Sequence, residues 1–316
     1  MIDVVVRNVA GDSIDLEVQQ DDTVCGLKDK IVKHWPVPQK YQQVVHESAV
    51  LADAERPAAR SAPGGPALQL TMVVCLDAMR QELAAGSFNR QVNMLKNLLP
   101  LCRGSGDVVV VFVCSLLEEP GVRAAASRAL GVLAKGDERA RDFAAKRLGH
   151  EEPEVREAAV EALAEVACKG DRSVMALLGG CSEDESPRVR RAMLEAFAKV
   201  AERGDAEALA VVGACLGDTA YDVRWAAVRA LQHLTGQGDA EAVARLGAFL
   251  GDASYLVRLA TAEALAALAA RGDDGVLAVL AKHLEVEDDH AVKGAVEAAL
   301  AQLGGEEALR RAALAA

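Results

Sequence analysis

Apolar positions in the C-terminal two thirds of the chain repeat with a period of about 34 residues. Each repeat contains a valine followed by arginine or lysine, at successive intervals of 33, 34, 34, 34 and 35 residues. These valines are Val122, Val155, Val189, Val223, Val257 and Val292. A unit of this length cannot bury its apolar side alone, so the fixed period predicts a solenoid of stacked helical units.

Each unit is predicted to contain a shorter outer helix, a tight turn and a longer helix near the valine, which we call the VR helix. In the third VR helix, Val189, Ala192, Ala196 and Val200 recur at helical spacing and form one apolar stripe. Small residues on such a stripe allow neighbouring helices to approach closely. The pattern therefore predicts VR helices that pack side by side.

Glycine followed by aspartate marks the turns between units every 34 residues. The glycine suits a left-handed helix terminus, and the aspartate suits the N-cap of the next helix. The pairs begin at Gly136, Gly170, Gly204, Gly238 and Gly272. The first helical position of a VR helix, which tolerates proline, is predicted at Pro120, Pro153 and Pro187. The other predicted N-caps are Ser186, Ser254 and Asp289.

The first 74 residues have a different pattern, in which short strands alternate with turns. The predicted strands are Ile2–Val6, Ile14–Val18, Gln42–His46 and Leu68–Val74. Val24, Leu27 and Ile31 share one helix face between the second and third strands. This order predicts a small α+β domain.

Three helices are predicted between this domain and the first VR helix. They are Cys75–Ala85, Asn89–Cys102 and Asp107–Leu117. The sequence thus predicts two domains, an α+β domain over residues 1–74 and an α-solenoid of about six helical hairpins over residues 75–316.

The repeat resembles the HEAT family over residues 106–303, with an extension back to residue 75. The segments that carry the likeness are DESPRVRRAM (184–193), DTAYDVRWAA (218–227) and DASYLVRLAT (252–261). In each, an aspartate precedes the helix arginine by six residues, which implies a charged ladder between stacked turns. Leu117 and His150 replace the acid in the first two units, and the last unit keeps Glu287 with Lys293. HEAT-like repeats also occur in phycobilin lyases.

The first domain resembles the ubiquitin-like, or β-grasp, fold. The likeness lies in GDSIDLEV (11–18), DDTVCGLKDKI (21–31), VPQKYQQVV (37–45) and LQLTMVV (68–74). The resemblance implies a recognition domain with an apolar patch on its sheet at Val9, Val45 and Thr71, of which the last is polar. No Gly-Gly follows Val74, so conjugation through the end of this domain is not expected.

Composition narrows the range of partners and compartments. The net charge of −12 argues against nucleic acid and anionic membrane surfaces and favours partners with basic segments. Seven cysteines without a CxxC motif are expected to be reduced and mostly buried. The chain lacks a signal-type N-terminal segment and a long apolar run, so a soluble protein of the cytoplasm or nucleus, without membrane insertion, is expected.

Motifs for catalysis or metal binding are missing from the sequence. No two of the six histidines stand three or four residues apart, and no P-loop or GxSxG motif occurs. The sequence therefore predicts no catalytic site, no metal site and no cofactor.

The repeat region contains three Tyr or Trp residues, all at the starts of two adjacent VR helices. They are Tyr221, Trp225 and Tyr255, and Leu259 follows Tyr255 by four residues. The position of Trp225 holds charged or small residues in preceding units, which predicts that it is exposed. We call these four residues the aromatic patch and predict that they bind a partner. The alternative is that the rings pack between repeats.

The favoured function is a non-enzymatic adaptor that binds a protein or peptide segment along the inner row of VR helices. The alternatives are a chromophore-handling subunit like the bilin lyases and a structural subunit of a large assembly. The sequence leaves the identity of the partner and the oligomeric state open.

Overall fold

The computed structural model divides the chain into two compact units, Met1–Arg147 and Leu148–Ala316. The residues that it describes are 1–8, 12–35, 37–61, 65–98 and 107–315. The predicted domain boundary after residue 74 falls within the first unit and stays a prediction.

A mixed five-stranded sheet opens the first unit. Its strands are β1 (Ile2–Asn8), β2 (Ser13–Val18), β3 (Gln42–His46), β4 (Ala49–Val50) and β5 (Leu68–Val74). Their order across the sheet is β2-β1-β5-β3-β4, with β1 and β5 parallel and the other pairs antiparallel. The four strands predicted from sequence are all present, and β4 is an additional short one.

Helix α1 (Val24–His34) supplies the apolar layer under this sheet. Leu27 and Ile31 are fully buried, as are Val4 of β1 and Met72 of β5. The helix begins after Thr23, whose side chain accepts a hydrogen bond from the Gly26 N–H. The alternating strand pattern thus separates a buried face from an outward face of the sheet.

Five further α-helices are described in the first unit, after the sheet. They are α2 (Leu76–Ala85), α3 (Phe88–Lys96), α4 (Asp107–Ser115), α5 (Arg123–Leu133) and α6 (Glu138–Arg147). The helix predicted to run to Cys102 ends at Lys96, and the end of the predicted segment lies outside the described residues. The predicted helical start at Pro120 is wrong. Gly121 adopts a left-handed φ of 82°, so the helix begins at Arg123.

The second unit is a row of nine described helices. They are α7 (Pro153–Val166), α8 (Arg172–Gly179), α9 (Pro187–Val200), α10 (Ala206–Cys215), α11 (Tyr221–Leu234), α12 (Ala240–Gly247), α13 (Tyr255–Leu268), α14 (Asp274–Val286) and α15 (His290–Ala315). The odd-numbered VR helices pack against one another in chain order. The stripe predicted from Val189 to Val200 is buried. Pro153 and Pro187 begin their helices as predicted.

The Gly-Asp turns have the predicted geometry. All five glycines have φ between 75° and 84°, and each following aspartate accepts a hydrogen bond from the third residue of the next helix. Four of the glycine N–H groups also donate to a backbone carbonyl of the next VR helix, which belongs to the last residue in α9, α11 and α13 and to an interior residue in α15. These bonds join Gly170 to Val200, Gly204 to Leu234, Gly238 to Leu268 and Gly272 to Leu303.

A ladder of charged pairs joins the other ends of the VR helices. Nε and Nη2 of each arginine donate to both carboxylate oxygens of an acidic residue in the next turn, at 2.7–2.8 Å. The pairs are Arg156–Asp184, Arg190–Asp218, Arg224–Asp252 and Arg258–Glu287. Nη1 of each arginine donates to two backbone carbonyls of its own preceding turn. The ladder implied by the resemblance is therefore present between these repeats.

The N-caps of the VR helices differ in part from the prediction. Asp289 caps α15 by accepting from the N–H groups of Ala291 and Val292. The side chains of Ser186 and Ser254 accept no capping bond. Instead, Asp184 and Asp252 of the ladder accept the N–H groups of these two serines. Ser186 and Ser254 thus occupy the predicted N-cap positions without a side-chain capping bond, and the ladder carboxylates bind their backbone N–H groups.

Helix α15 ends the row with a polar residue at a position that is apolar in earlier repeats. The equivalent residues of α7, α9, α11 and α13 are fully buried: Val160, Leu194, Val228 and Ala262. In α15 this position is Glu297, which is exposed. Glu297 therefore faces solvent at a position that the four preceding VR helices bury.

Candidate partner-binding surface

The aromatic patch lies on two adjacent VR helices. Tyr221 is the first residue of α11 and Tyr255 the first residue of α13, and these two helices pack against each other. The tyrosines are 52% and 48% exposed, whereas Trp225 and Leu259, one turn further on, are half-buried. The structure thus places all four predicted residues on neighbouring helices, with the two phenol rings most accessible.

Arg229 extends the patch along α11, and sequence reasoning missed it. Its guanidinium lies 6.0 Å from the centre of the Trp225 ring, within reach of a cation–π contact. Its Nη1 also lies 3.5 Å from Oε2 of Glu263 on α13. The spacing of four residues from Trp225 could have indicated this contact. Arg229 therefore holds one edge of the indole and links the two helices of the patch.

The preceding VR helices carry charged side chains where the patch is apolar. Glu157 and Arg191 occupy the position of Trp225 on α7 and α9, and both are half-buried. Nε of Arg191 lies 3.5 Å from Oε1 of Glu195 on its own helix. The aromatic surface is thus confined to α11 and α13 along this part of the second unit.

A second candidate surface lies on the outward face of the sheet. Val45 of β3 pairs directly with Thr71 of β5 and, on its other side, with Val50 of β4. Val45 is half-buried, Thr71 is exposed and Val50 is 57% exposed. Val9 lies outside the described residues. Val50 was not singled out from the sequence, because its exposure depends on the short strand β4.

Glu82 of α2 joins the sheet to the first helix pair. Its carboxylate accepts hydrogen bonds from the Lys40 ammonium, the Tyr41 hydroxyl and the Arg90 guanidinium. These three donors, with Lys40 first, lower the pKa of Glu82 to about 2. The backbone N–H of Cys75 also donates to the Tyr41 carbonyl, at 2.6 Å. The sheet and α2 therefore share a polar contact that is ionised at neutral pH.

The six described cysteines are free thiols that differ in burial. Cys114, Cys181 and Cys215 are buried, and burial raises the pKa of Cys114 to about 12 and of Cys181 to about 11. Thiols with such pKa values stay protonated and are poor nucleophiles. Cys25 and Cys168 are exposed, so the expectation of buried thiols is wrong for these two. Cys102 lies outside the described residues.

The described part of the chain contains neither a cluster of metal-binding side chains nor a membrane-spanning helix. No group of three or more His, Cys, Asp or Glu side chains in it is arranged to hold a metal ion. None of its helices combines the length and apolar character needed to cross a membrane.

Net charge is divided unequally between the two units. Residues 1–147 contain 18 acidic and 18 basic side chains, so the whole net charge of −12 belongs to residues 148–316. The unit that carries the aromatic patch is therefore the acidic one. Its field attracts cationic partners.

Comparison with known proteins identifies the repeat. A profile of HEAT repeats matches residues 111–198, 174–266 and 214–301, which together cover more than half of the chain. The chain belongs to the HEAT-repeat family. No curated protein matches it significantly.

Among solved structures, the HEAT-repeat chain is similar to the designed armadillo repeat protein YIII(Dq.V1)4CPAF, solved in complex with the peptide (KR)4. That similarity has a TM-score of 0.44 and 20% identity and covers 61% of this chain and 98% of the other.

Proposed function

We propose that this HEAT-repeat protein is a non-enzymatic adaptor that binds a protein or peptide segment across α11 and α13. The observation that carries the proposal is the pair of half-exposed tyrosines at the first positions of two adjacent VR helices. Proline occupies that position in α7 and α9, where it serves the helix start. Tyrosine adds a large ring with a polar tip, the kind of side chain that dominates binding energy at protein interfaces.

Trp225 and Arg229 support this proposal by making the surface rigid. The indole is half-buried and the guanidinium lies near its ring, so little side-chain freedom is lost when a partner covers them. Leu259 adds an apolar floor on α13. A partner is therefore expected to insert one or two apolar side chains between the tyrosines.

The sheet of the first unit is proposed to be a ubiquitin-like recognition domain. Its support is the strand order with a central parallel pair and one helix packed on a single face, which is the arrangement of the β-grasp fold. Val45, Val50 and Thr71 lie side by side on the other face. We expect this face to contact a second partner, with an affinity reduced by the polar Thr71.

The adaptor proposal is tested with Trp225→Ala and Tyr255→Ala introduced together in the full chain. Loss of two anchor residues is expected to weaken partner binding by about 1000-fold, since two hot-spot residues at about 2 kcal/mol each contribute about 4 kcal/mol. Mass spectrometry identifies the proteins that bind to the wild-type chain but not to the double variant. Titration calorimetry then measures the affinity of each of these proteins for the two chains.

Glu157→Ala provides the matched control, because Glu157 has the same position on α7 as Trp225 on α11. This variant should retain the same partners at unchanged affinity. Circular dichroism and thermal unfolding must show that both proteins are folded. If the double variant binds every partner as the wild type does, the patch is not the binding site.

A further inference from the structure

Two equivalent clefts lie between successive outer helices of the second unit. The α10/α12 cleft has a volume of about 230 Å³ and the α12/α14 cleft about 440 Å³. Each is lined by a buried leucine of the intervening VR helix, Leu231 in one and Leu265 in the other. Each also ends at a capping aspartate. The two clefts are thus the same feature of the repeat, with different side chains.

The α10/α12 cleft carries a charged pair. Glu241 and Arg245 line it from α12, and Nη2 of Arg245 donates to Oε1 of Glu241 at 2.6 Å. A Cβ placed on Gly213 of α10 would lie 2.6 Å from Nη1 of Arg245. The arginine therefore extends across the cleft and lies against the opposite helix at Gly213.

The α12/α14 cleft has lost both members of this pair. Gly275 and Val279 replace Glu241 and Arg245, and Gly247 is the equivalent of Gly213. No atom lies within 4 Å of the position that a Cβ on Gly247 would take. Val279 cannot reach that glycine and is itself 45% exposed. The α12/α14 cleft is therefore larger than its neighbour and mainly apolar.

The shape and chemistry of this cleft select its occupant. The α12 wall runs from Ala240 to Gly247, two helical turns or about 10 Å, so it has room for two side chains one turn apart. Its volume falls in the range of ligand pockets, but it is an open groove between helices. Grooves of this kind accept the apolar face of an amphipathic helix. Asp273 lies at one end, and the unit is strongly acidic, which disfavours an acidic occupant.

We propose that the α12/α14 cleft is a second binding site, which takes two apolar side chains at positions i and i+4 of a partner helix that lacks acidic residues. The site lies on the outer helices, whereas the aromatic patch lies on VR helices. The two sites are independent, so neither requires the other.

The experiment selects binders from a display library of 16-residue helical peptides with random residues on one face, using the full chain as target. Enriched peptides should carry Leu, Ile, Met or Phe at i and i+4. Their affinity should fall about tenfold or more for the variant Gly275→Glu, Val279→Arg, which copies the charged pair of the neighbouring cleft. This variant adds side chains that the repeat already accommodates between α10 and α12.

The reciprocal variant, Glu241→Ala with Arg245→Val, removes the pair from the α10/α12 cleft. It should raise the number of bound peptides per chain from one to two in calorimetry. Trp225→Ala with Tyr255→Ala should leave affinity unchanged, which separates this site from the proposed adaptor surface.

Three results would overturn the proposal. The first is equal affinity of the selected peptides for the wild type and the Gly275→Glu, Val279→Arg variant. The second is failure to select any peptide with paired apolar anchors. The third is binding of a fluorescent fatty acid, but of no peptide, to the wild type, when the Gly275→Glu, Val279→Arg variant does not bind the fatty acid. That result would assign the cleft to an acyl chain.

Discussion

At the scale of single residues, the ladder shows why the arginines cannot be replaced by another cation. The guanidinium of Arg224 uses Nε and Nη2 for the two oxygens of Asp252 and Nη1 for the carbonyls of Asp218 and Thr219. The side chains of the Arg224–Asp252 pair are 15% and 7% exposed. A planar group with donors on three nitrogens fits this position, whereas an ammonium group cannot reach all of the acceptors.

Arg224→Lys is therefore expected to lower the free energy of unfolding by about 2 kcal/mol, because charge is kept while several hydrogen bonds of a mostly buried pair are lost. Urea unfolding followed by circular dichroism measures the change. Arg229→Lys is the control on the same helix. Arg229 makes one ion pair, at 3.5 Å to Glu263, in a partly exposed setting, and Lys keeps the charge for this pair and for the cation–π contact with Trp225, so the replacement should cost less than about 0.5 kcal/mol. Equal effects for the two variants would contradict the role given to the ladder.

At the scale of helices and turns, the glycine of each Gly-Asp pair is required by the backbone. Gly238 has φ of 84°, and its N–H reaches the carbonyl of Leu268 at 2.6 Å. A Cβ at this position would meet nothing within 4 Å, so any cost of adding one comes from the backbone conformation alone.

Gly238→Ala should destabilise the protein by about 1–2 kcal/mol because an L-residue is disfavoured at positive φ. Gly294→Ala is the matched comparison. Gly294 lies within α15, is exposed, and also has open space around its Cβ position. There alanine should stabilise the helix by about 1 kcal/mol. Thermal unfolding of the two variants should therefore shift in opposite directions, and shifts of the same sign would refute this account of the turn.

The elements that could be predicted from sequence are those whose cause is local. The Gly-Asp turns and the VR stripe depend on residues within one or two helical turns, and both are confirmed. The serines occupy the predicted N-cap positions, but their hydroxyls accept no capping bond, and the N–H of Ser186 instead donates to Asp184, which also pairs with Arg156, 28 residues earlier in the chain. No local pattern reveals that partner.

The candidate site was predictable to a similar extent. The residues of the aromatic patch were found because aromatic rings interrupt a regular column, and α11 and α13 do lie side by side. The α12/α14 cleft could not be found in the same way. Its apolar character arises from the absence of Glu241 and Arg245 equivalents, and small residues such as Gly275 appear ordinary in a helix sequence.

At the scale of the whole molecule, ionised carboxylates are distributed along the full row of VR helices in the second unit. The pKa of Glu287 is lowered to about 2, mainly by the hydrogen bonds from Arg258. Burial acts to raise this pKa, and the hydrogen bond from the Asp289 N–H acts to lower it further. Bonds from Arg190 likewise lower the pKa of Asp218. At Asp184 and Asp252, burial acts to raise the pKa, but the arginine and backbone bonds outweigh it.

Each of these carboxyl groups has a lower pKa in the folded than in the unfolded chain, where it is about 4. Their contribution to stability is complete above about pH 5 and is lost as the pH falls towards 2. Urea unfolding at pH 7, 5, 4 and 3 should show a nearly constant free energy of unfolding down to pH 5 and a steep decrease below it. Glu287→Gln should reduce the steepness of that decrease. A constant free energy from pH 5 to pH 3 would contradict the assignment.

The two rows of bonds between repeats also have a mechanical consequence. The Arg–carboxylate pairs join neighbouring repeats at the amino ends of the VR helices, and the glycine N–H bonds join them further along, at the carboxyl ends of α9, α11 and α13. A tilt of one repeat against the next therefore stretches one row whichever way the repeat turns. Under a force along the row of repeats, both sets of bonds share the load. The second unit should accordingly behave as a stiff spring that transmits tension until one whole repeat detaches.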